Sequence, residues 1–164
     1  RRGAFPTFTY RQADALILGQ DFNFIYTPFE SLRFTLKYAY LYGQNLDLDK
    51  PLIYMSPNNG SLKTEYTIKD GEKFKKTNLT LEVSHTNEQS RFNINEELVA
   101  PPDAGYTLLN FSASTEVVIA KQKFDLGIQV ENLTNKTYRN YLNRLRYFAD
   151  EQGINMSFRL GYQF

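Results

Sequence analysis

Cysteine and tryptophan are absent from the 164 residues, histidine occurs once, at His85, and methionine twice. The missing thiols exclude disulfides and thiolate metal sites. Long apolar runs are missing as well. The longest, such as Val117-Val118-Ile119-Ala120, fall far short of the ~20 residues that a helix needs to cross a bilayer. Mean hydropathy is −0.50, so no membrane-spanning helix is expected. A surplus of one charge is also missing. Nineteen Lys and Arg against 18 Asp and Glu leave a net charge of +1, without the concentrated basic face that nucleic-acid phosphates demand. What the sequence does have is aromatic residues, 12 Tyr and 13 Phe making 15% of the chain, inside a hydrophobic fraction of 41%. Rings at that density favour strands or a membrane interface.

Alternation of period two is the dominant pattern and recurs in seven segments. It is clearest from Leu32 to Tyr42, where Leu32, Phe34, Leu36, Tyr38, Tyr40 and Tyr42 form one face against Arg33, Thr35 and Lys37. The last segment sets Met156, Phe158, Leu160, Tyr162 and Phe164 against Asn155, Ser157, Arg159, Gly161 and Gln163. The first, about Ala15 to Thr27, carries Leu16, Leu18, Phe22, Phe24 and Tyr26, with Gln20 breaking the stripe. Shorter stripes are Leu62, Tyr66 and Ile68, then Leu79, Leu81 and Val83, and later Phe124, Leu126, Ile128 and Val130. Between Tyr106 and Ala120 the pattern is ambiguous, and Leu109, Phe111, Ala113, Val117 and Ile119 are assigned to the apolar face with Asn110, Ser112, Ser114 and Glu116 opposite. Strands that alternate in this way cross hydrocarbon only as a closed barrel, whose wet lumen also accounts for the negative hydropathy.

The connections alternate in length. Pro28 to Ser31, Asp70 to Thr77 and Lys121 to Gln122 are short, whereas Gly43 to Gly60, Thr86 to Gly105 and Glu131 to Gly153 are long. Short periplasmic turns and long extracellular loops are the habit of outer-membrane barrels. By parity the last strand then runs inward and leaves Phe164 at the periplasmic aromatic girdle. Seven strands are an odd number and fewer than the roughly eight with which such barrels begin, so further strands are expected from sequence outside residues 1–164. The start at Arg1, without an apolar signal region, agrees with a fragment of an exported protein.

Val130-Glu131-Asn132-Leu133-Thr134-Asn135-Lys136-Thr137-Tyr138, followed by Gly153-Ile154-Asn155 and an alternating strand ending at Phe164, resembles the end of a TonB-dependent receptor. Pro51-Leu52, Pro57 and Gly105-Tyr106-Thr107-Leu108-Leu109-Asn110 are similar to the family's order upstream. Where the family usually carries Gly-Arg-Asn, this chain has Ile154 in the middle. The resemblance implies an all-β, antiparallel transmembrane barrel of 22 strands, filled by a plug, that imports a scarce ligand such as a siderophore, haem or another metal chelate. Residues 1–164 are then the C-terminal seven strands of one barrel domain, in contact with outer-membrane lipid, and the TonB complex is met through the missing N-terminal region. The alternatives are a passive porin-like or structural barrel, and a soluble lipid-binding β-barrel or sandwich with its apolar face inward.

Tyr138, Arg139, Tyr141, Arg144, Arg146 and Tyr147, in the last long connection, mix cations with rings in a way suited to an anionic, partly aromatic ligand. The alternative reading, which the sequence favours, is that the same residues anchor the loop at the headgroups or pair with Glu131, Asp150 and Glu151. Phe158, Leu160, Tyr162 and Phe164 are expected on the membrane face of a terminal strand that resembles the family's assembly signal. His85 is read as an interface or loop-packing residue, and Glu88, Glu96, Glu97 and Asp103 match no ordered calcium loop. Arg33, Lys37, Lys63, Glu65, Glu82, Glu116 and Arg159 are assigned to the lumen, mostly as cross-strand wall networks. The sequons at Asn78 and Asn110 fall inside predicted strands and are read as composition. Neither a cofactor nor a catalytic set is expected, since Ser, His and Asp lie on different elements with no Gly-x-Ser-x-Gly.

Overall fold

A computed structural model describes residues 12–95 and 103–163. It is a single antiparallel sheet. The strands are β1 (Ala15–Phe29), β2 (Leu32–Asn45), β3 (Lys50–Pro51), β4 (Asn59–Ile68), β5 (Phe74–Thr86), β6 (Tyr106–Ile119), β7 (Gln122–Glu131) and β8 (Asn155–Gln163). Apart from β3, which pairs only with the tip of β2, each strand lies beside its sequence neighbour in the order β1-β2-β4-β5-β6-β7-β8. The seven long strands have 9 to 15 residues, enough for each to cross a bilayer, which takes about 9 to 11. The seven predicted segments are these seven strands. The two-residue β3 was not predicted, because a bridge that short leaves no period to read.

The three short turns lie at one end of the sheet, at residues 30–31, 69–73 and 120–121, and the long connections L1 (46–58), L2 (87–105) and L3 (132–154) at the other. The turn expected over Asp70 to Thr77 is shorter than that, because β5 already begins at Phe74. The register slips between Lys75 and Asn78, a bulge where Lys76 takes a φ of 51° and its N–H donates to Asp70 Oδ1 at 2.7 Å. A second slip, between Tyr26 and Phe29, lies at the same end, as bulges at barrel rims do. Ala120 and Lys121 join β6 to β7 with φ of 50° and 68°, the pattern of a type I′ turn, which favours Asn-Gly and costs L residues about 1–2 kcal/mol each. Replacing the pair by Asn-Gly is expected to stabilise this hairpin by about 1 kcal/mol or more, read as a raised midpoint in the thermal unfolding of the full-length protein.

Register settles which side chains share a face, because directly opposed residues point the same way. One row reads Tyr26, Phe34, Thr64, Leu81, Phe111, Val130 and Met156 across all seven strands, and the next Phe24, Leu36, Leu62, Val83 and Leu109. Strand β6 therefore contributes Leu109, Phe111, Ala113 and Val117 to the apolar face, as its sequence predicts. On the other face Arg33 stands opposite Glu65, which stands opposite Thr80, and Lys63 opposes Glu82, which opposes Asn110. In the middle of the sheet the apolar face is the more open one: Leu36, Tyr38, Leu62, Leu81 and Val83 are exposed, whereas Thr35 is buried and Lys63, Glu65 and Glu82 are half-buried; toward the β1 edge Arg33 and Lys37 of the polar face are exposed too, and Phe34, Leu109 and Phe111 of the apolar face are half-buried. Side chains crowd on the concave side of a curved sheet, so the polar face is the inner one. Phe158 and Leu160 of β8 are 77% and 75% exposed on the apolar face, with Tyr162 beside them stacked on Phe124 at 5.1 Å. Phe164 lies outside the described residues.

Candidate functional site

The elaborated end of the sheet is where L1, L2 and L3 meet, and it holds most of the candidate residues. L3 starts from a knot. Asn132 is 3% exposed and held at a φ of 50°. Its N–H donates to Asn110 Oδ1 at 2.9 Å, its Oδ1 accepts from Lys136 N at 2.8 Å, and its Nδ2 donates to Lys136 O at 2.8 Å and to Gln152 O at 3.4 Å. Both ends of the loop are thus tied to one side chain. Asn135, also at a φ of 50°, accepts from Ile154 N at 3.0 Å through Oδ1. A methyl on Gly153 would lie 2.6 Å from that oxygen, so the glycine leaves room for the contact. The contact uses the main chain of Ile154, and the side chain at that position takes no part in it.

Beyond the knot the loop doubles back. Glu151 N donates to Tyr138 O at 2.9 Å and Arg139 Nε donates to Asp150 Oδ1 at 2.6 Å, closing a neck from which a 3-10 turn (Arg144–Tyr147), capped by Asn143, projects. Asn143 Nδ2 also donates to Glu151 Oε1 at 2.6 Å. Tyr138 stacks on Tyr106 at 4.4 Å, and burial, assisted by the charges of Glu151 and Glu131, holds its phenol above the ordinary value. A proton held more tightly in the folded loop than in the unfolded chain stabilises the loop fully below a tyrosine pKa of about 10, and that contribution is lost as the pH climbs past it. Tyr138 is expected to ionise above the ordinary tyrosine value of about 10. Comparing tyrosinate absorbance of the parent with Tyr138→Phe, which keeps the ring stack, should remove a step from the alkaline end of the titration; removal of a step at or below pH 10 contradicts the assignment.

The sequence candidates separate into two groups. Arg146 is 2% exposed, bonded to Asp103 Oδ2 at 3.3 Å, with its guanidinium 4.7 Å from the Tyr141 ring and 4.4 Å from that of Tyr147. Arg139 is committed to Asp150, whose hydrogen bond raises its already high pKa further. Tyr138, Arg139, Tyr141, Arg146 and Tyr147 therefore build the loop's own frame. Arg144 is the exception among them: it is exposed and placed 5.5 Å from the ring of Tyr54 in L1. A residue that the sequence did not mark, Arg91 of L2, lies 3.8 Å over the ring of Tyr42 and donates from Nη2 to Gln44 Oε1 at 2.6 Å. No local pattern around Arg91 announces this, since Tyr42 is far away in sequence.

On the inner face, Glu116 is 3% exposed and receives Lys76 Nζ at 3.0 Å and Lys123 Nζ at 3.5 Å, while Lys63 and Glu65 pair at 3.2 Å. Lys76 comes from the bulge, and the sequence did not place it here. His85 stands on the apolar face with Nδ1 2.8 Å from Thr107 Oγ1. Asn78 and Asn110 are strand residues with inward register, the first bonded to Thr67 and the second to Asn132. Glu96 and Glu97 lie outside the described residues, and among the described residues no three His, Cys, Asp or Glu come close enough to share a metal ion.

The sequence matches no protein-family model and no curated protein. Among solved structures, it is similar to the copper transporter OprC, with a TM-score of 0.75, 18% identity, and a match covering 93% of this chain and 23% of that one. At that identity the likeness concerns the fold: this chain has the fold of consecutive wall strands from an outer-membrane β-barrel, and it spans about a quarter of that larger chain.

Proposed function

We propose that residues 1–164 form part of the wall and three extracellular loops of an outer-membrane transporter that takes up a scarce solute with energy supplied through TonB. The observation that carries this reading is the division of faces: an open apolar surface runs across seven antiparallel strands, a crowded polar surface lies behind it, and every long connection emerges at one end. A soluble lipid-binding barrel needs the reverse curvature, with the apolar stripes crowded inside. The outer edges of β1 and β8 lack a strand partner among the described residues, and open edges are not tolerated in hydrocarbon, which supports closure by strands from elsewhere in a longer chain. The similarity to a copper transporter supports transport across the outer membrane, and the resemblance of the terminal motifs to TonB-dependent receptors favours active uptake over a passive porin. Siderophores, haem and other metal chelates are the cargo classes in keeping with the family resemblance.

Fractionation of the full-length protein tests the barrel, and uptake in the presence and absence of TonB tests the transport. The expected result is a band in the outer-membrane fraction that is extracted by detergent, migrates differently before and after boiling, and supports growth on a limiting metal only when TonB is present. A detergent-independent, soluble product overturns the barrel; growth unaffected by TonB overturns active uptake and leaves a passive pore.

A further inference from the structure

L2 sends one side chain to the membrane-facing side of the sheet. The guanidinium of Arg91 lies 3.8 Å over the ring of Tyr42, and its Nη2 donates to Gln44 Oε1 at 2.6 Å. Tyr42 and Gln44 end the stripe that Leu32, Phe34, Leu36, Tyr38 and Tyr40 begin on the apolar face of β2. The reach is supported from behind. Gln89 is buried, donates from Nε2 to Met55 O at 2.7 Å and accepts from Arg91 N through Oε1 at 3.0 Å. Gln44 is held in turn by Asp49, whose Oδ1 accepts from its Nε2 at 2.8 Å. A neutral amide therefore stands between the guanidinium and that carboxylate, and Arg91 forms no ion pair among the described residues.

The height of the guanidinium is set by β2. Leu32 to Tyr42 rises about 33 Å along the strand, or roughly 25 Å along the axis of a barrel whose strands tilt by about 40°, which is the height of the apolar band of a transmembrane barrel. Gln44 is the first polar side chain on that stripe, and Tyr38, Tyr40 and Tyr42 precede it as an interface belt does. Arg91 thus lies where hydrocarbon gives way to headgroups. On the neighbouring strand Leu18 stands opposite Tyr42 and Leu16 opposite Gln44, both exposed. We infer that Arg91, seated on Tyr42, binds a phosphate of an outer-leaflet glycolipid at the rim of the barrel. The ring covers one face of the guanidinium and leaves the edge N–H groups beyond the one given to Gln44, which suit a phosphate in a fork. A cation beside hydrocarbon gains most from an anion at the same depth. Leu16 and Leu18 give the acyl chains of such a lipid an apolar bed, which a water-soluble anion does not use. Fastening L2 does not call for the charge, since Gln89 on Met55 O and Asn87 N on Asn58 O, at 2.9 Å, already tie it to L1. The inference rests on the outer-membrane part of the proposed function and is independent of transport.

The test uses the full-length protein in detergent, lipid A and the same glycolipid stripped of its phosphates as probes, and native mass spectrometry to count the lipid bound per protein. The parent protein is expected to bind lipid A roughly tenfold more tightly than the stripped form. Arg91→Gln should bring lipid A down to the level of the stripped lipid, whereas Arg144→Gln, whose ring partner belongs to L1, should leave both within about twofold. A difference in migration before and after boiling shows that each variant is folded. If Arg91→Gln does not fold, Arg91→Lys serves instead, keeping the charge and losing the fork and the ring contact, with weakening of several-fold expected. Equal binding of the two lipids by the parent, or a preference for lipid A that survives at full strength in the Arg91 variants, overturns the inference. Displacement of lipid A by an equal concentration of inorganic phosphate also overturns it and assigns Arg91 to a soluble anion. A heat-modifiable protein without the Arg91-dependent preference leaves the barrel standing and removes only the lipid site; a soluble, detergent-independent product removes both.

Discussion

Leu81→Arg is expected to cost the folded barrel about 2–4 kcal/mol, while Thr80→Arg, one residue away, costs less than about 1 kcal/mol. Leu81 lies midway along β5, on the apolar face between Thr64 and Phe111. An arginine there has hydrocarbon around it and too great a distance for its side chain to reach the headgroups. Thr80 lies on the polar face directly opposite Glu65, where a guanidinium finds water and a carboxylate. Equilibrium unfolding of the full-length protein in lipid vesicles measures both. Equal effects, or the reverse order, would place the bilayer on the wrong side of the sheet and return the apolar stripes to the interior of a soluble fold. Both variants add the same side chain to the same strand, and Leu81→Ala and Thr80→Ala measure what each lost side chain contributes, so the remaining difference reports the face.

The second large effect is expected at Asn132. Asn132→Ala removes three side-chain hydrogen bonds from a buried site, each worth about 0.5–1.5 kcal/mol, and leaves an L residue without a short polar side chain in the left-handed region, at about 1–2 kcal/mol. A loosening of L3 by roughly 3–5 kcal/mol follows. Because that loop is tied at its base, its release should expose the peptide bonds after Arg139 and Arg144 to trypsin while the strands stay intact and the boiled and unboiled bands still differ. Asn132→Gly separates the contributions, since glycine relieves the backbone and restores none of the bonds. Intermediate protease resistance is expected for it. Full resistance of the alanine variant would mean that the neck at Tyr138 and Glu151 holds the loop unaided.

Most of the wall was legible in the sequence because its signal is periodic and local. A period of two survives a single interruption such as Gln20, and at Leu32 to Tyr42 it leaves no second solution. In β6 the sequence alone offered a weaker stripe, and the structure fixes it through neighbours, since Val83 faces Leu109 and Val117 faces Phe124. The loops were legible only as composition. The mixture of Arg and Tyr between Glu131 and Gly153 announces that cations and rings meet, but which cation meets an acid and which a ring depends on partners as distant as Asp103, Tyr54 and Tyr42. Arg91 was missed for that reason, and so was Lys76, whose inward reach toward Glu116 exists only because a bulge turns it out of register. The asparagine-rich motif before Tyr138 carries its meaning differently. It was noticed as a resemblance, and its physical content is that asparagine both tolerates positive φ and offers a donor and an acceptor on a short stem.

The meander order of the sheet has a consequence for how such a protein changes over time. Each long strand pairs with the next one in sequence, so every register is set by a hairpin and none by a distant crossing. The chain closing each hairpin at the elaborated end can lengthen or shorten without disturbing the strands it joins, and doubling a loop adds only about 0.6 kcal/mol of closure entropy. Insertions, deletions and recombination among relatives are therefore filtered weakly at L1, L2 and L3 and strongly in the wall. Diversity is expected to gather at the elaborated end of the sheet, while the strands drift slowly within their alternating pattern.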